Sequence, residues 1–449
     1  MKITNISFYF IGVALLSLLA GLLFGVIGGL QYILPEFLKD TFPFYKTRPV
    51  HVSLVITWIF TGAIGSIYYF ISKFNNGKLF SLKLAQLHFI IFILTGLAIL
   101  YCYFLGYFGG REYLEFPPII ALPMLFTWIL FLINFFMTVD KKVRTWPVYY
   151  WMWSTGLLFF LITFGEAYLW TLSYFQNNIV RDTTVQWKAM GSMVGSWNML
   201  VYGGGFYIME QISGNKKIAN SNITFFFYFL GLTNLMFNWG HHTYIVPAAL
   251  WIKNVSYIIS MTELLILGDI IWNWRKALSR AKKHKHLISY NLLTAADIWI
   301  FLNLILAIII SVPSINYYTH GTHITVAHSM GATIGINTMI LFATIYFIYE
   351  QFNLIHKTKM VGTGFWITNI SLFIFWLSLI GSGIVKALEK EKGTIFREMM
   401  EKLSAWFHVF SFAGAGIFTG ILLISWPLFR CIFNIILSNG KMLIKENHL

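Results

Sequence analysis

The chain has 449 residues, of which 57% are hydrophobic and 11% are charged, and its formal net charge is +15 at pH 7. Apolar runs of about 20 residues recur along the whole chain, which is typical of a polytopic helical membrane protein. Its two cysteines, Cys102 and Cys431, each lie inside an apolar run, which excludes a disulfide-rich scaffold. The excess of lysine and arginine lies between the apolar runs, so membrane orientation explains it and we expect no nucleic-acid partner.

Twelve transmembrane helices are predicted, and they form one membrane domain over residues 1–449. The spans lie near 7–31, 50–71, 84–107, 117–139, 147–175, 187–209, 222–244, 248–274, 290–312, 324–349, 364–386 and 405–434. The first run has only Lys2 ahead of it and no small-residue cleavage site, so we expect a retained helix rather than a signal peptide. The predicted fold class is therefore an all-α integral membrane protein.

Lysine and arginine are concentrated in every second connection. If the N-terminus is cytoplasmic, the inner connections contain Lys73, Lys78 and Lys83; Lys141, Lys142 and Arg144; Lys216 and Lys217; the run 275–286; and Lys357 and Lys359. Cytoplasmic loops of membrane proteins carry an excess of these residues. We therefore expect both termini on the cytoplasmic side.

This topology places histidines from distant parts of the chain at one depth, near the outer face. They are His51 at the start of span 2, His241 and His242 at the end of span 7, and His320, His323 and His328 at the start of span 10. Neutral imidazole binds iron and copper, and an ionisable side chain inside a membrane usually has a function. We therefore expect a metal centre toward the outer side.

His328 and Met330 lie in the stretch 315–335, which opens span 10. Two residues apart on an α-helix, their side chains project about 200° apart. They cannot bind the same metal, so the spacing predicts two cofactors, one on each side of the helix.

Five segments of the chain resemble the haem–copper oxidase superfamily, and most closely the catalytic subunit of cytochrome c-dependent nitric oxide reductases. They are RPVHVSLVITWIFTGAIGSIYY (48–69), GREYLEFP (110–117), NWGHHTYIVPAALW (238–251), SMTELLIL (260–267) and YYTHGTHITVAHSMGATIG (317–335). The resemblance implies a haem–copper oxidase-like bundle in the bacterial cytoplasmic membrane, with the haem sites toward the outer side.

The resemblance also implies three iron sites. His51 matches an axial ligand of a low-spin haem b, His328 matches the ligand of a high-spin haem b3, and His241 and His242 match ligands of a non-haem iron. The chain contains no CxxCH motif for covalent haem. Electrons would then arrive from a separate partner, which we expect to be a membrane-anchored cytochrome c subunit.

Four charged residues complete the predicted site. In GREYLEFP, Arg111 is expected to pair with haem propionates, and Glu112 is expected to help bind Ca²⁺, since carboxylate oxygens suit a hard cation. Glu166 in span 5 and Glu263 in span 8 are the candidate catalytic carboxylates, because ionisable groups in a membrane are costly and tend to be functional. A satisfied hydrogen bond between helices is the alternative for both glutamates.

The chain departs from the family pattern at two places. Met330 stands where the family has a second histidine, which predicts His51/Met330 ligation of the low-spin haem. The region WKAMGSMVGSW (187–197) lacks the family's His-x-x-x-Glu motif, and its counterparts are Gly191 and Gly195 or Met190 and Val194. Two imidazoles, with or without the Met190 thioether, favour Cu(I) or a vacant site over iron. A histidine restored at Gly191 or Met190, with a glutamate four residues on, would then be expected to raise metal occupancy.

The resemblance implies reduction of NO to N₂O, but the altered metal site leaves two alternatives open. The first is other O₂ or NO chemistry, dismutase-like or oxidase-like; the usual oxidase is disfavoured because span 6 has no histidine–tyrosine motif, although Tyr244 follows the histidine pair. The second is a non-catalytic haem gas sensor or electron-transfer subunit. Two haems plus a non-haem metal would favour an enzyme, and two haems alone the sensor.

Overall fold

The computed structural model describes residues 3–139, 141–262, 276, 278–352 and 359–437, and these ranges are helical with no β-strand. We number the long helices α1 to α12. They are α1 Ile3–Gln31, α2 Phe44–Phe74, α3 Leu82–Leu105, α4 Ala121–Thr138, α5 Val148–Glu166, α6 Ile179–Ser213, α7 Asn222–Phe237, α8 Leu250–Thr262, α9 Leu287–Ser311, α10 His323–Glu350, α11 Lys359–Glu391 and α12 Phe396–Leu437.

Within the part of the chain that the structure describes, nine helices are long and apolar enough to cross a membrane. This confirms the all-α membrane character of the protein. Predicted spans 6, 7 and 8 coincide with α6, α7 and α8, which are not among the nine. The reasons are physical: α6 is rich in glycine, serine and other weakly hydrophobic residues, α7 has 16 residues, and the described part of α8 has 13. The number twelve therefore stays a prediction.

Local signals in the sequence explain where several helices begin and end. The Ser81 side chain accepts a hydrogen bond from the Leu84 amide at the start of α3, and Gly106 ends that helix in the left-handed conformation, with φ +79°. The Asn178 side chain caps α6 and the Ser221 side chain caps α7. Such residues satisfy amides and carbonyls that the helix leaves free at its ends.

The helices pack as neighbouring pairs around two buried ones. α1 packs along α2, α5 along α6 and α11 along α12, while α1 also contacts α12. In their most apolar windows, α2 and α10 are each 83% buried, whereas the other seven spans range from 28% to 56%. The two helices at the centre of the bundle are therefore the ones that carry His51, His328 and Met330.

Helix α10 changes its geometry directly after Met330. Residues Gly331–Thr338 form a π-helix, between α-helical segments on either side. The Thr338 hydroxyl donates to the Thr333 carbonyl, five residues back, at 2.8 Å and accepts from the Trp58 indole nitrogen at 3.0 Å. A π-helical segment is uncommon and is frequent at functional sites. Here it follows the two predicted haem ligands.

Candidate functional site

His51 lies near the start of α2, against the backbone of α1. A carbonyl oxygen can only accept, so the His51 Nδ1–H donates to the Gly21 carbonyl at 2.7 Å. A Cβ atom added at Gly25 would lie 2.8 Å from two atoms of the imidazole, so glycine is needed there for the close approach. This contact fixes the tautomer and leaves Nε2 to bind a metal, which fits an axial haem ligand.

His328 and Met330 belong to the α-helical segment of α10 that ends at Met330, so the predicted divergence of their side chains applies. His328 is near enough to His241 and His242 for a charge on one ring to act on the others. Met330 is partly buried and packs against the hydrophobic core. His328 therefore lies within electrostatic range of the histidine pair, while Met330 projects to another side of the helix.

His241 and His242 lie in a 3₁₀ turn, Asn238–Thr243, that continues α7. Their Nε2 atoms face each other at 3.0 Å. The Asn238 side-chain oxygen lies 3.2 Å from His241 Nδ1 and also accepts a hydrogen bond from the Ser260 hydroxyl at 2.6 Å. The turn therefore directs both rings toward one point, as a shared metal requires.

His320 joins this pair, although sequence reasoning gave it no role. Its Nε2 atom lies 3.4 Å from His242 Nδ1. Trp187 of α6 stacks on the His242 ring at 4.3 Å with an interplanar angle of 7°, and it meets the His320 ring edge-on at 5.5 Å. The available sequence signal was the placement of His320 at the same membrane depth as the pair.

The missing span 6 ligand is explained by close packing of α6 against α7 and the 3₁₀ turn. A Cβ atom at Gly191 would lie 2.5 Å from Trp239 Cβ, and one at Gly195 would lie 2.8 Å from Leu235 Cα. No imidazole or carboxylate fits at either position without moving backbone. Met190 is 7% exposed and belongs to the hydrophobic core. Among the described residues, no three His, Cys, Asp or Glu side chains are arranged to hold a metal.

A histidine at Gly191 conflicts with this packing, while the expectation that a restored histidine raises metal occupancy stays a prediction. The sequence showed that a ligand was lost, but the space that the ligand would occupy has also closed. The two predicted histidine ligands in the turn after α7, His241 and His242, are not affected by this packing.

Arg111 and Glu112 lie in the loop between α3 and α4, and each forms an ion pair. Arg111 Nη2 contacts Asp182 Oδ2 at 2.7 Å, and its guanidinium lies over the Trp170 ring at 4.9 Å. Arg48 Nη2 contacts Glu112 Oε1 at 2.5 Å. The pairing of Arg111 with haem propionates and the binding of Ca²⁺ by Glu112 therefore stay predictions.

Arg48 is a residue that sequence reasoning missed, although it lies three positions before His51. It also contacts Glu115 Oε1 at 3.0 Å. Burial raises the pKa of the Glu115 carboxyl, and backbone hydrogen bonds and the Arg48 guanidinium offset only part of this effect. One oxygen of Glu115 is buried without a hydrogen-bond partner. The loop between α3 and α4 therefore holds a buried carboxylate oxygen without a hydrogen-bond partner close to Arg48.

The two candidate catalytic glutamates have different outcomes. Glu166, at the end of α5, pairs with Lys188 of α6, and about a quarter of each side chain is exposed. This is the interhelical contact given above as the alternative to a catalytic role. Glu263 lies outside the described residues.

Most of the chain is similar in sequence to known proteins. Residues 5–417 match the family model described as cytochrome C and quinol oxidase polypeptide I. A nitric oxide reductase subunit of Stutzerimonas stutzeri is 26% identical over 403 residues, which cover 83% of this chain and 82% of that protein. The Cbb3-type cytochrome c oxidase subunit CcoN1 of the same organism is 22% identical over 423 residues, which cover 87% and 86%.

The fold is also that of a known structure. A haem-copper terminal oxidase dimer solved by cryo-EM superposes with a TM-score of 0.74 and 13% sequence identity, over 98% of this chain and 84% of that one. The catalytic subunits of haem–copper oxidases bind haems and a non-haem metal, and the family is one of oxidoreductases. The family model spans nearly the whole protein, so the chain belongs to the cytochrome c and quinol oxidase polypeptide I family, the catalytic subunits of the haem–copper oxidase superfamily.

Proposed function

We propose that this protein is a haem-containing membrane oxidoreductase that reduces NO to N₂O, with electrons from a membrane-anchored cytochrome c. Two NO molecules, two electrons and two protons then yield one N₂O and one water. The observation that carries the proposal is the pairing of His241 and His242, whose Nε2 atoms lie 3.0 Å apart. The similarity to a nitric oxide reductase of Stutzerimonas stutzeri supports the choice of substrate.

The residues fit the proposed cofactors. The Asn238 side-chain oxygen accepts a hydrogen bond from the His241 Nδ1–H group. The His241 Nε2 atom therefore carries a lone pair, which faces His242 Nε2. Two facing lone pairs repel each other unless a cation or a proton lies between them. A metal ion bound by both nitrogens satisfies this arrangement.

The haems would be held by α2 and α10. His51 and Met330 would bind the low-spin haem, and His328 would bind the high-spin haem on the opposite side of α10. When bound, the haems supply the electron transfer and the gas-binding iron that reduction of NO requires. The Gly21 carbonyl holds the His51 ring in the orientation that presents Nε2.

The outer loop would neutralise the haem carboxylates. Arg48 and Arg111 supply two guanidinium groups, which bind carboxylates in a bidentate manner. Glu112 would contribute to a Ca²⁺ site. Both arginines are held by acidic residues, so propionates would exchange with these partners.

Proton transfer would depend on groups other than a span 6 carboxylate, which the chain lacks. Glu166 and Glu263 are the candidates that we propose. The Glu166 carboxylate is paired with Lys188. Lys188 follows Trp187 in the chain, and the Trp187 ring stacks on His242. This places an ion pair at the outer edge of the site.

A second candidate function is reduction of dioxygen, which the similarity to a cytochrome c oxidase subunit favours. The deciding experiment is anaerobic NO consumption and, separately, O₂ consumption by the purified protein with a reduced c-type cytochrome. Product analysis and metal content are measured on the same sample. We expect N₂O formation and two haems with a non-haem metal. Rapid O₂ consumption without N₂O would favour the oxidase, and two haems with neither activity would favour the sensor or electron-transfer protein.

A further inference from the structure

The His242 ring has a partner at each nitrogen and on one face. Its Nε2 atom faces His241 Nε2 at 3.0 Å, and its Nδ1 atom faces His320 Nε2 at 3.4 Å. The Trp187 indole is stacked on it, almost parallel. These three contacts come from separate elements of the fold: the 3₁₀ turn, the approach to α10, and α6.

The contact between Asn238 and His241 determines which ring nitrogens of His241 and His242 carry a proton. The Asn238 oxygen already accepts the Ser260 hydroxyl and can only accept from His241 Nδ1, so His241 offers a lone pair at Nε2. For His242 to bind the same metal through Nε2, its proton must be on Nδ1. The atom that faces this Nδ1–H is His320 Nε2, which can accept it.

We propose that His320 is a positioning residue for the second metal. The His320 Nε2 atom accepts a hydrogen bond from the His242 Nδ1–H group. This bond fixes the tautomer and the ring plane that direct His242 Nε2 toward the metal shared with His241. The inference rests on the proposed function, because it takes the histidine pair as the metal site. It also gives His242 a hydrogen-bonded support in a chain where α6 supplies no ligand.

The backbone around His320 is built to hold the ring in place. The His320 amide donates to the Asn316 carbonyl at 2.8 Å, at the end of the short helix Pro313–Thr319. The next residue, Gly321, has φ +74°, a conformation that favours glycine. Thr322 then caps α10 by accepting from the Ile324 amide. These contacts fix the backbone position from which the His320 ring reaches His242.

His323 provides a matched control three residues further along. Its ring packs at 5.5 Å from Phe407 of α12, away from the histidine pair. A substitution at His323 changes the same type of residue in the same turn. It does not remove a contact to His242.

The test compares the native protein with His320→Leu, His320→Gln and His323→Leu, each loaded anaerobically with Fe²⁺ or Cu⁺. Retention of non-haem metal is followed during challenge with a chelator, and the CO spectrum of the high-spin haem reports an intact fold. Loss of an outer partner of a metal-binding histidine costs about 10–100-fold in affinity. We expect a loss of that size in His320→Leu, substantial recovery in His320→Gln, whose side-chain oxygen can accept, and no change in His323→Leu.

Equal retention in His320→Leu and the native protein would overturn the inference. So would an equal loss in His320→Gln and His320→Leu, because the imidazole itself would then be the ligand. A native protein that binds neither ion would overturn it as well. By contrast, metal retention that depends on His320 in a protein without NO turnover would refute the proposed function alone.

Discussion

The two residues proposed to bind the low-spin haem differ in kind, since one is an imidazole and the other a thioether. Thioether sulfur raises the haem potential relative to a second imidazole. Near-infrared magnetic circular dichroism of the oxidised protein should therefore show histidine–methionine ligation. In Met330→Leu, a change that nearly conserves volume, the low-spin band and the potential should both change.

The control for Met330 is Met339, which is fully buried further along the same helix. Met339→Leu should leave the spectrum as it is, because that side chain is only part of the core. A bis-histidine band in the native protein, or an unaltered low-spin spectrum in Met330→Leu, would reject the assignment.

His328→Ala should instead remove the haem that binds CO.

Gly25 allows the His51 ring to lie against α1, and this makes a second prediction at the same haem. In Gly25→Ala the new methyl group would lie 2.8 Å from the ring, so His51 must turn or α1 must shift. We expect partial or complete loss of the low-spin haem from the optical spectrum, with the CO-binding haem retained. Gly96→Ala in α3 is the control, since no atom lies within 4 Å of a Cβ there. Equal low-spin haem content in the two variants would show that the close contact is not needed.

At the scale of elements, the packing of α6 explains what the sequence could and could not predict. The segment 187–197 showed that two family residues are replaced. It did not show that Gly191 and Gly195, four residues apart, allow α7 and its turn to close on α6. Small residues at this spacing favour close helix contact in membranes. The contacts join residues 40 and 48 positions apart, which no local pattern encodes.

The same packing predicts that Gly191→His will weaken the protein rather than repair its metal site. Overpacking a tight contact costs typically about 1–3 kcal/mol, and here the first atom met is the Trp239 Cβ. We expect a lower thermal unfolding temperature in detergent and no gain in non-haem metal. Gly362→His, at an exposed position of α11 with no atom within 4 Å, should unfold like the native protein. A Gly191→His protein that is as stable as the native and holds more metal would contradict this packing argument.

The site residues also illustrate the limits of sequence reasoning. His51, His241, His242 and His328 were found because their motifs are local. The contacts of His320 and Arg48 to these motifs depend on chain crossings, as does the tautomer that Gly21 imposes on His51. The π-helix after Met330 has no sequence signature that we used. Motifs therefore identified most of the proposed ligands, and the structure supplies their orientation.

At the scale of the whole molecule, the position of the site in the bundle is set by the central helices α2 and α10. His51 is near the start of α2, His328 is near the start of α10, and the histidine pair follows the end of α7. In a bundle whose helices alternate in direction, the starts of even-numbered helices and the ends of odd-numbered ones lie at the same face. The proposed haem and metal ligands thus share one end of the bundle with Arg48 and Arg111.

The distribution of lysine predicts on which side of the membrane this end lies, and this is the last prediction. The loop between α6 and α7 carries Lys216 and Lys217, whereas the connection between α5 and α6 around Asn177 has no lysine. By the positive-inside rule, a reporter inserted at Asn215 or fused to the C-terminus should be cytoplasmic, and one inserted at Asn177 should be external. Green fluorescent protein should therefore fluoresce at the first two positions, and alkaline phosphatase should be active only at the third. The reverse pattern would place the histidine pair at the cytoplasmic face, and electrons from an external cytochrome c could then not reach the haems directly.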